Sequence, residues 1–253
     1  MTFYKYQGTG NDFVMIDNRE GIYAPTTEQN RLLCDRKFGI GADGLICLQP
    51  SDKYDFEMLY FNSDGNESTM CGNGGRCLVA FAKQIGIITD KATFNAIDGL
   101  HEATIDENNW VELKMMNVDS VENNNTHFVL NTGSPHYIKF VENISQVDVY
   151  QEGKAIRYNE RFKAEGINVN FVSVANNGID VVTYERGVED ETLSCGTGVT
   201  AAAIAYSYLK EGVSNVPIKT KGGNLAVKFI KSANGFENIW LCGSATFVFK
   251  GEI

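Results

Sequence analysis

Apolar and polar positions along the chain spell out short strands and two long, unusually apolar helices. Residues 2–7, 12–17, 44–49 and 56–62 alternate or run apolar over strand lengths, with turn residues such as Gly8-Thr9-Gly10-Asn11 between them. Thr26 and Gln29, three apart ahead of Asn30 to Cys34, read as a capping box on a helix that stops at Gly39. A polar loop from Asn62 to Glu67 leads into Cys71-Gly72-Asn73-Gly74-Gly75-Arg76-Cys77. Beyond it Leu78, Val79, Phe81, Ala82 and Ile85 recur at the spacing of a core-facing helix, with Gly86 as its stop. Residues 92–97 and 100–106 predict a hairpin turned by Asp98-Gly99, and Trp110 to Met116 a further strand.

The second half repeats this plan. Glu191-Thr192-Leu193-Ser194-Cys195-Gly196-Thr197-Gly198 parallels the run from Glu67 to Gly74, and Cys195 follows Cys71 by 124 residues. Gly222-Gly223 stands 124 beyond Asp98-Gly99, between strand-like 216–221 and 225–230. Gly133-Ser134-Pro135-His136-Tyr137-Ile138 matches the stretch from Gly10 at an offset of 123, and Gly166-Ile167-Asn168 matches Gly39-Ile40-Gly41 at 127. The helix after Cys195, with Val199, Ala201 to Ala205, Tyr208 and Leu209 before Gly212, is apolar nearly all round, which places it centrally. The pattern predicts an α+β fold of two pseudo-symmetric lobes, each a curved, mostly antiparallel sheet around a central helix, with the active site in the cleft between lobes. The expected lobes are residues 1–119 and 120–253, the last strand packing back on the first lobe, joined near the polar run Asp119 to Thr126 with Asn123-Asn124-Asn125 as linker.

Composition narrows the setting. With 43% hydrophobic and 21% charged residues, the 253-residue chain reads as soluble and globular with ample core. A net charge of -10 and the absence of a Lys/Arg run argue against nucleic acid as a partner. No stretch reaches the roughly 18 to 20 apolar residues of a membrane span, and Met1 to Tyr6 lacks the apolar core of a signal peptide, so the expected address is cytoplasmic. In that compartment six cysteines read as reduced thiols. Their spacing, with three histidines in the chain, gives no metal site. Gly39 to Gly44 spells G-x-G-x-x-G but follows a helix and precedes a strand, the reverse of a dinucleotide site.

The chemistry gathers at the two helix openings. Each cysteine stands where several N–H groups and about half a positive charge favour a thiolate. A two-fold between the lobes brings both to one cleft, where one thiolate removes a proton from a tetrahedral carbon and the other thiol returns one to the opposite face. Backbone N–H groups at Gly72-Asn73 and Gly196-Thr197 suit an α-carboxylate and its enolate-like charge. The remaining cysteines, 34, 47, 77 and 242, read as core or incidental. No pyridoxal or Rossmann signal is present, so a cofactor-free reaction fits.

Seven runs carry a family resemblance: Gly8-Thr9-Gly10-Asn11-Asp12-Phe13, Phe38 to Gly44, Asn62-Ser63-Asp64-Gly65, Met70 to Gly74, Gly133-Ser134-Pro135-His136, Tyr184-Glu185-Arg186-Gly187 and Ser194 to Gly198. In order and content they resemble diaminopimelate epimerase, from residue 3 to near the carboxyl end. The resemblance implies an isomerase that interconverts LL- and meso-2,6-diaminoheptanedioate without pyridoxal phosphate, in the route to lysine and peptidoglycan. It implies Cys71 and Cys195 as the acid/base pair, with His136 and Glu185 as polar neighbours that set their protonation. Asn11, Asn62 and Asn168 would contact substrate, Gly72, Asn73, Gly196 and Thr197 its reacting carboxylate, and Glu185 with Arg186 its distal end. The partner is a small amino acid, and members are often homodimers. The sequence departs from the family pattern at Ser134, at Gly44 and in a run after Arg186 that is one residue longer. Two other readings stay open: a racemase for an amino acid such as histidine or proline, and an amino-acid-binding or redox-sensing protein.

Overall fold

In the computed structural model, which describes residues 1–253, the apolar alternation at the amino terminus becomes a hairpin. β1 (Thr2–Gly8) and β2 (Asn11–Asp17) pair antiparallel around Thr9 and Gly10, both at positive φ. Thr26 opens α1 (Thr27–Cys34) with the reciprocal capping box expected of it: the Thr26 N–H donates to the Gln29 side chain at 2.8 Å and the Gln29 N–H to the Thr26 hydroxyl at 3.3 Å. β3 (Gly44–Gln49) runs parallel to β2 and antiparallel to β4 (Phe56–Asn62). After α2 (Gly72–Gln84), β5 (Lys91–Ala96) pairs parallel with β4, and β6 (Gly99–Ile105) and β7 (Trp110–Lys114) follow antiparallel.

The order of pairings then starts again. β8 (Val121–Asn123) and β9 (Phe128–Asn131) form a hairpin, and β9 pairs antiparallel with β10 (Pro135–Phe140). α3 (Val149–Arg157) leads to β11 (Asn168–Ala175), which is parallel to β10 and antiparallel to β12 (Gly178–Glu185). β13 (Asp190–Thr192) adds to β12 ahead of α4 (Gly196–Tyr206). β14 (Asn215–Thr220) pairs parallel with β12 and antiparallel with β15 (Gly223–Ser232), and β16 (Gly235–Ser244) and β17 (Thr246–Glu252) complete the chain. β17 pairs antiparallel with β1. The chain divides into two compact units, Met1–Leu113 with Gly243–Ile253, and Lys114–Cys242.

Register makes the duplication explicit. Phe13 opposes Gly44 as His136 opposes Asn168; Phe56 opposes Phe94 as Ile179 opposes Ile218; Ala96 opposes Gly99 as Thr220 opposes Gly223. Asn168 therefore corresponds to Gly44, and the sequence match of Gly166-Ile167-Asn168 to Gly39-Ile40-Gly41 is corrected. A second correction concerns Asp119 to Thr126. Its asparagines are not an irregular linker: Asn123 ends β8 and Asn125, at φ 61°, turns the chain into β9.

Each unit is built round its helix. α2 is buried from Gly72 to Ala82 and packs among Tyr6, Phe13, Ile46, Phe94 and Leu113. α4 buries ten of its eleven residues among Ile138, Val172, Ile179, Val216, Leu225 and Phe236. A helix that short is marginal alone in water, so burial of these side chains, about 1.5–3 kcal/mol for each large one, decides that it forms. The helix also ends earlier than its apolar pattern implied. The Ser207 hydroxyl bonds back to the Ile204 carbonyl at 2.7 Å, and tightened turns carry exposed Tyr208 and Leu209 on to Gly212. No helix is long and apolar enough to cross a membrane.

Candidate active site

Cysteine is an unusual residue with which to open a helix, because Ser, Thr, Asp or Asn would satisfy the first N–H groups. Cys71 is the N-cap of α2 and Cys195 the N-cap of α4, both in extended backbone, and neither side chain makes a cap hydrogen bond. Helix geometry leaves the first-turn N–H groups of Gly72-Asn73 and Gly196-Thr197 directed out of the helix, where they favour an anion.

In the first unit a polar chain runs under the Cys71 turn. Asn73 Nδ2 donates to Asn11 Oδ1 at 2.9 Å, and Asn11 Nδ2 donates to the Asp43 carboxylate at 2.7 Å. Asp43 also takes Arg36 at 2.7 Å. Behind Asn73 lies Arg76, wholly buried in α2. Its guanidinium donates to Asn73 Oδ1 at 3.0 Å, to the Thr9 hydroxyl at 3.1 Å and to the Gly72 carbonyl at 3.3 Å. A carboxylate at one end and a guanidinium at the other leave each amide one orientation, with nitrogen of Asn11 toward Asp43 and oxygen of Asn73 toward Arg76. Next to this chain, burial raises the Asp12 carboxyl, but hydrogen bonds from Arg36 and Lys5 outweigh it and hold Asp12 far below the ordinary range. Lys5, itself buried, also donates to the Gly41 carbonyl. Asn62 stands apart from this chain: it ends β4 with its side chain exposed, and its backbone closes a turn with Gly65 and Asn66.

In the second unit the Cys195 turn rests on His136. Thr197 Oγ1 lies 3.5 Å from Cys195 Sγ and 2.9 Å from His136 Nε2. Burial, then the charge of Arg186, pushes the His136 imidazole down to about 3, so it is neutral at physiological pH. A second group forms around Asn168. Its Nδ2 donates to the Ser134 hydroxyl at 2.9 Å and the Pro135 carbonyl at 3.1 Å, and its oxygen takes the Arg186 N–H at 2.9 Å. The Arg186 guanidinium reaches the Glu165 carbonyl at 3.1 Å and the Ser134 hydroxyl at 3.4 Å. Ser134 thus holds a place in the network as a hydrogen-bond acceptor. Glu185 is half-buried and accepts from the Thr192 hydroxyl at 2.9 Å. The longer run after Arg186 is taken up by a turn with Gly187 and Glu189 at positive φ, closed by Glu189 N–H to the Glu185 carbonyl at 2.8 Å. At Gly44 a Cβ would stand 2.5 Å from the Tyr60 ring and 2.7 Å from the Phe61 carbonyl oxygen, so this position has no room for a longer side chain.

The family profile for diaminopimelate epimerase matches residues 3–121 and 128–248. The chain is 54% identical to the diaminopimelate epimerase of Flavobacterium psychrophilum, over the full length of both. The chain belongs to the diaminopimelate epimerase family. It is 45% identical to the diaminopimelate epimerase of Chlorobaculum tepidum, over 97% of this chain and 98% of that one. In fold alone it is similar to a phenazine-biosynthesis protein of the PhzF family from Bacillus anthracis, with TM-score 0.78 at 13% identity over 100% and 98% of the two chains. A hydroxyproline epimerase from Agrobacterium vitis gives TM-score 0.70 at 13% identity over 99% and 91%.

For a diaminopimelate epimerase family member, reading the sequence missed the residues behind the expected ones: Thr9, Asp43, Arg76, Asn170 and Thr183. Arg76 carried a signal, a charge in the buried first two turns of a helix whose other charge, Lys83, falls in its last turn. Asn170 carried a weaker one, a second asparagine two places after Asn168 on the same strand face. The other thiols behave as core residues: burial pushes Cys34 up to about 11 and Cys47 and Cys77 up to about 12.

Proposed function

We propose that the chain is a diaminopimelate epimerase, an isomerase that interconverts LL- and meso-2,6-diaminoheptanedioate, with Cys71 and Cys195 as its acid/base pair. The observation that carries this reading is full-length membership of the family at 54% identity. The two N-cap cysteines supply the chemistry. A thiolate takes the α-proton and becomes a thiol, the electron pair spreads into the α-carboxylate, and the other thiol gives a proton to the opposite face and becomes a thiolate. First-turn N–H groups at Gly72-Asn73 and Gly196-Thr197 hold that carboxylate and its growing charge. Asn11, Asn62 and Asn168 contact the substrate, Arg186 and Glu185 hold its distal amino-acid end, and His136 and Glu185 bias the protonation of the thiols. The reaction requires no pyridoxal phosphate. The working form is a homodimer in the cytoplasm.

The test is exchange in heavy water, followed by proton NMR and chiral analysis. LL-diaminoheptanedioate is expected to lose its α-proton signal as the meso isomer appears, and Cys71→Ala or Cys195→Ala to slow epimerisation by on the order of a thousandfold. Exchange on proline or histidine with none on diaminoheptanedioate would sink the proposal.

A further inference from the structure

We propose that Asn170 is a positioning residue: it fixes the proton of His136 on Nε2, so that the Thr197 hydroxyl offers its own proton to the Cys195 sulfur. The idea deepens the reading of Cys195 as an acid/base group and depends on it for catalytic meaning. A carbonyl sets the direction. Asn170 Nδ2 lies 3.2 Å from the Tyr137 carbonyl oxygen, which only accepts, so the amide presents nitrogen there. Its oxygen takes the Thr183 hydroxyl at 2.8 Å. The second Nδ2 proton then meets His136 Nδ1 at 3.1 Å, and Nδ1 is the acceptor. A fully buried, neutral imidazole carries one proton, which is therefore on Nε2. Nε2–H donates to Thr197 Oγ1 at 2.9 Å, and the hydroxyl's own hydrogen runs on to Cys195 Sγ at 3.5 Å. A thiolate accepts that hydrogen better than a thiol does, so the relay favours ionised Cys195.

Three features mark the relay as built. His136 and Asn170 are wholly buried. A Cβ on Gly198 would stand 2.4 Å from Asn170 Oδ1, so only glycine lets the first turn of α4 settle on this amide. By register, Phe13 and Ile46 hold the corresponding places in the first unit, and no such relay exists there. Around the turn, His136 on β10, Glu185 on β12 and Arg186 after it are the titratable groups that face α4. Glu185 takes the Thr192 hydroxyl, Arg186 the Glu165 carbonyl and Ser134 hydroxyl, and β9 and β11 bring none. Strand alternation turns Lys139, Asp180, Tyr184, Lys219 and Lys228 to the opposite face, and Lys231 lies over Tyr208 beyond the far end of the helix.

In the Cys71→Ala chain, alkylation of Cys195 by iodoacetamide is followed against pH and located by mass spectrometry. Thr197→Val is expected to slow alkylation at neutral pH about tenfold, the equivalent of one pKa unit. Asn170→Leu is expected to slow it similarly, while Thr197→Ser keeps the parent profile. Nitrogen NMR of histidine-labelled protein reads the tautomer directly: a protonated Nε2 and bare Nδ1 at His136, a pattern lost in Asn170→Leu. A bare Nε2 in the unsubstituted chain, or a profile unmoved by Thr197→Val, overturns the proposal. Should Asn170→Leu not fold, the unsubstituted spectrum and the Thr197 variants still decide. Because both readouts are independent of turnover, a chain that shows the relay but does not epimerise diaminoheptanedioate would count against the substrate alone.

Discussion

Arg76 carries a permanent charge into a helix of glycines, alanines and large apolar side chains, and three acceptors meet it there. Its removal has two opposed effects. Asn73 and the Gly72 carbonyl lose a donor, at about 1–3 kcal/mol, but the desolvation cost of a buried guanidinium is relieved. Arg76→Met is therefore expected to change stability in urea by less than about 2 kcal/mol, while KM rises at least about tenfold as Asn73 becomes able to turn its amide. Arg76→Lys, which keeps the charge without the fork, should fall between. His136 sets a pH window. It stays neutral when folded down to about 3 and has an ordinary value of 6.5 when unfolded, so the unfolded chain takes the proton first. Its contribution to stability is complete above 6.5 and drains away as the pH falls toward about 3. The loss is on the order of 4 kcal/mol, and His136→Gln should flatten it in urea titrations across that range. Asp12, held down by Arg36 and Lys5, adds a separate loss only below its ordinary 3.8.

At the level of elements, the opening turn of α4 is the tightest piece of packing at the site. Gly198→Ala must push Asn170 aside by more than an ångström, because a Cβ would sit 2.4 Å from its oxygen. The expected result is a fall in kcat of about tenfold or more with a modest change in thermal midpoint, read by steady-state kinetics beside calorimetry. The elements themselves were legible because period and punctuation agree. Thr26 with Gln29, Gly86 and Asp98-Gly99 each mark a boundary that local chemistry enforces. The duplication was legible for a similar reason, since equal spacing leaves equal landmarks. What stayed hidden depends on pairing between distant residues. The alignment of Asn168 with Gly44 follows from strand register, which no short motif encodes. The three-residue strand β8 has a single apolar residue, Val121, and exists because β9 lies beside it. At the site, the cysteines and their glycines stood out by pattern, whereas Asn170 and Asp43 matter through the partners that hold them, and those partners lie far off in sequence.

On the scale of the whole molecule, the first unit is discontinuous: residues 1–113 are finished by residues 243–253. β17 lies along β1, Phe249 meets Phe3 edge-on at 5.9 Å, and Met1 and Ile253 bond to each other through N–H and carbonyl groups. A chain ended after Cys242 is therefore expected to exchange the amides of β1 and β2 rapidly in deuterium-exchange mass spectrometry, while residues 114–242 keep their protection. The same arrangement has a consequence during synthesis. On the ribosome β1 emerges long before β17 and waits until everything between them has been translated, roughly ten to fifty seconds. Throughout that interval β1 is an open, aromatic edge on a nascent polypeptide, the kind of surface that recruits chaperones or a neighbouring chain.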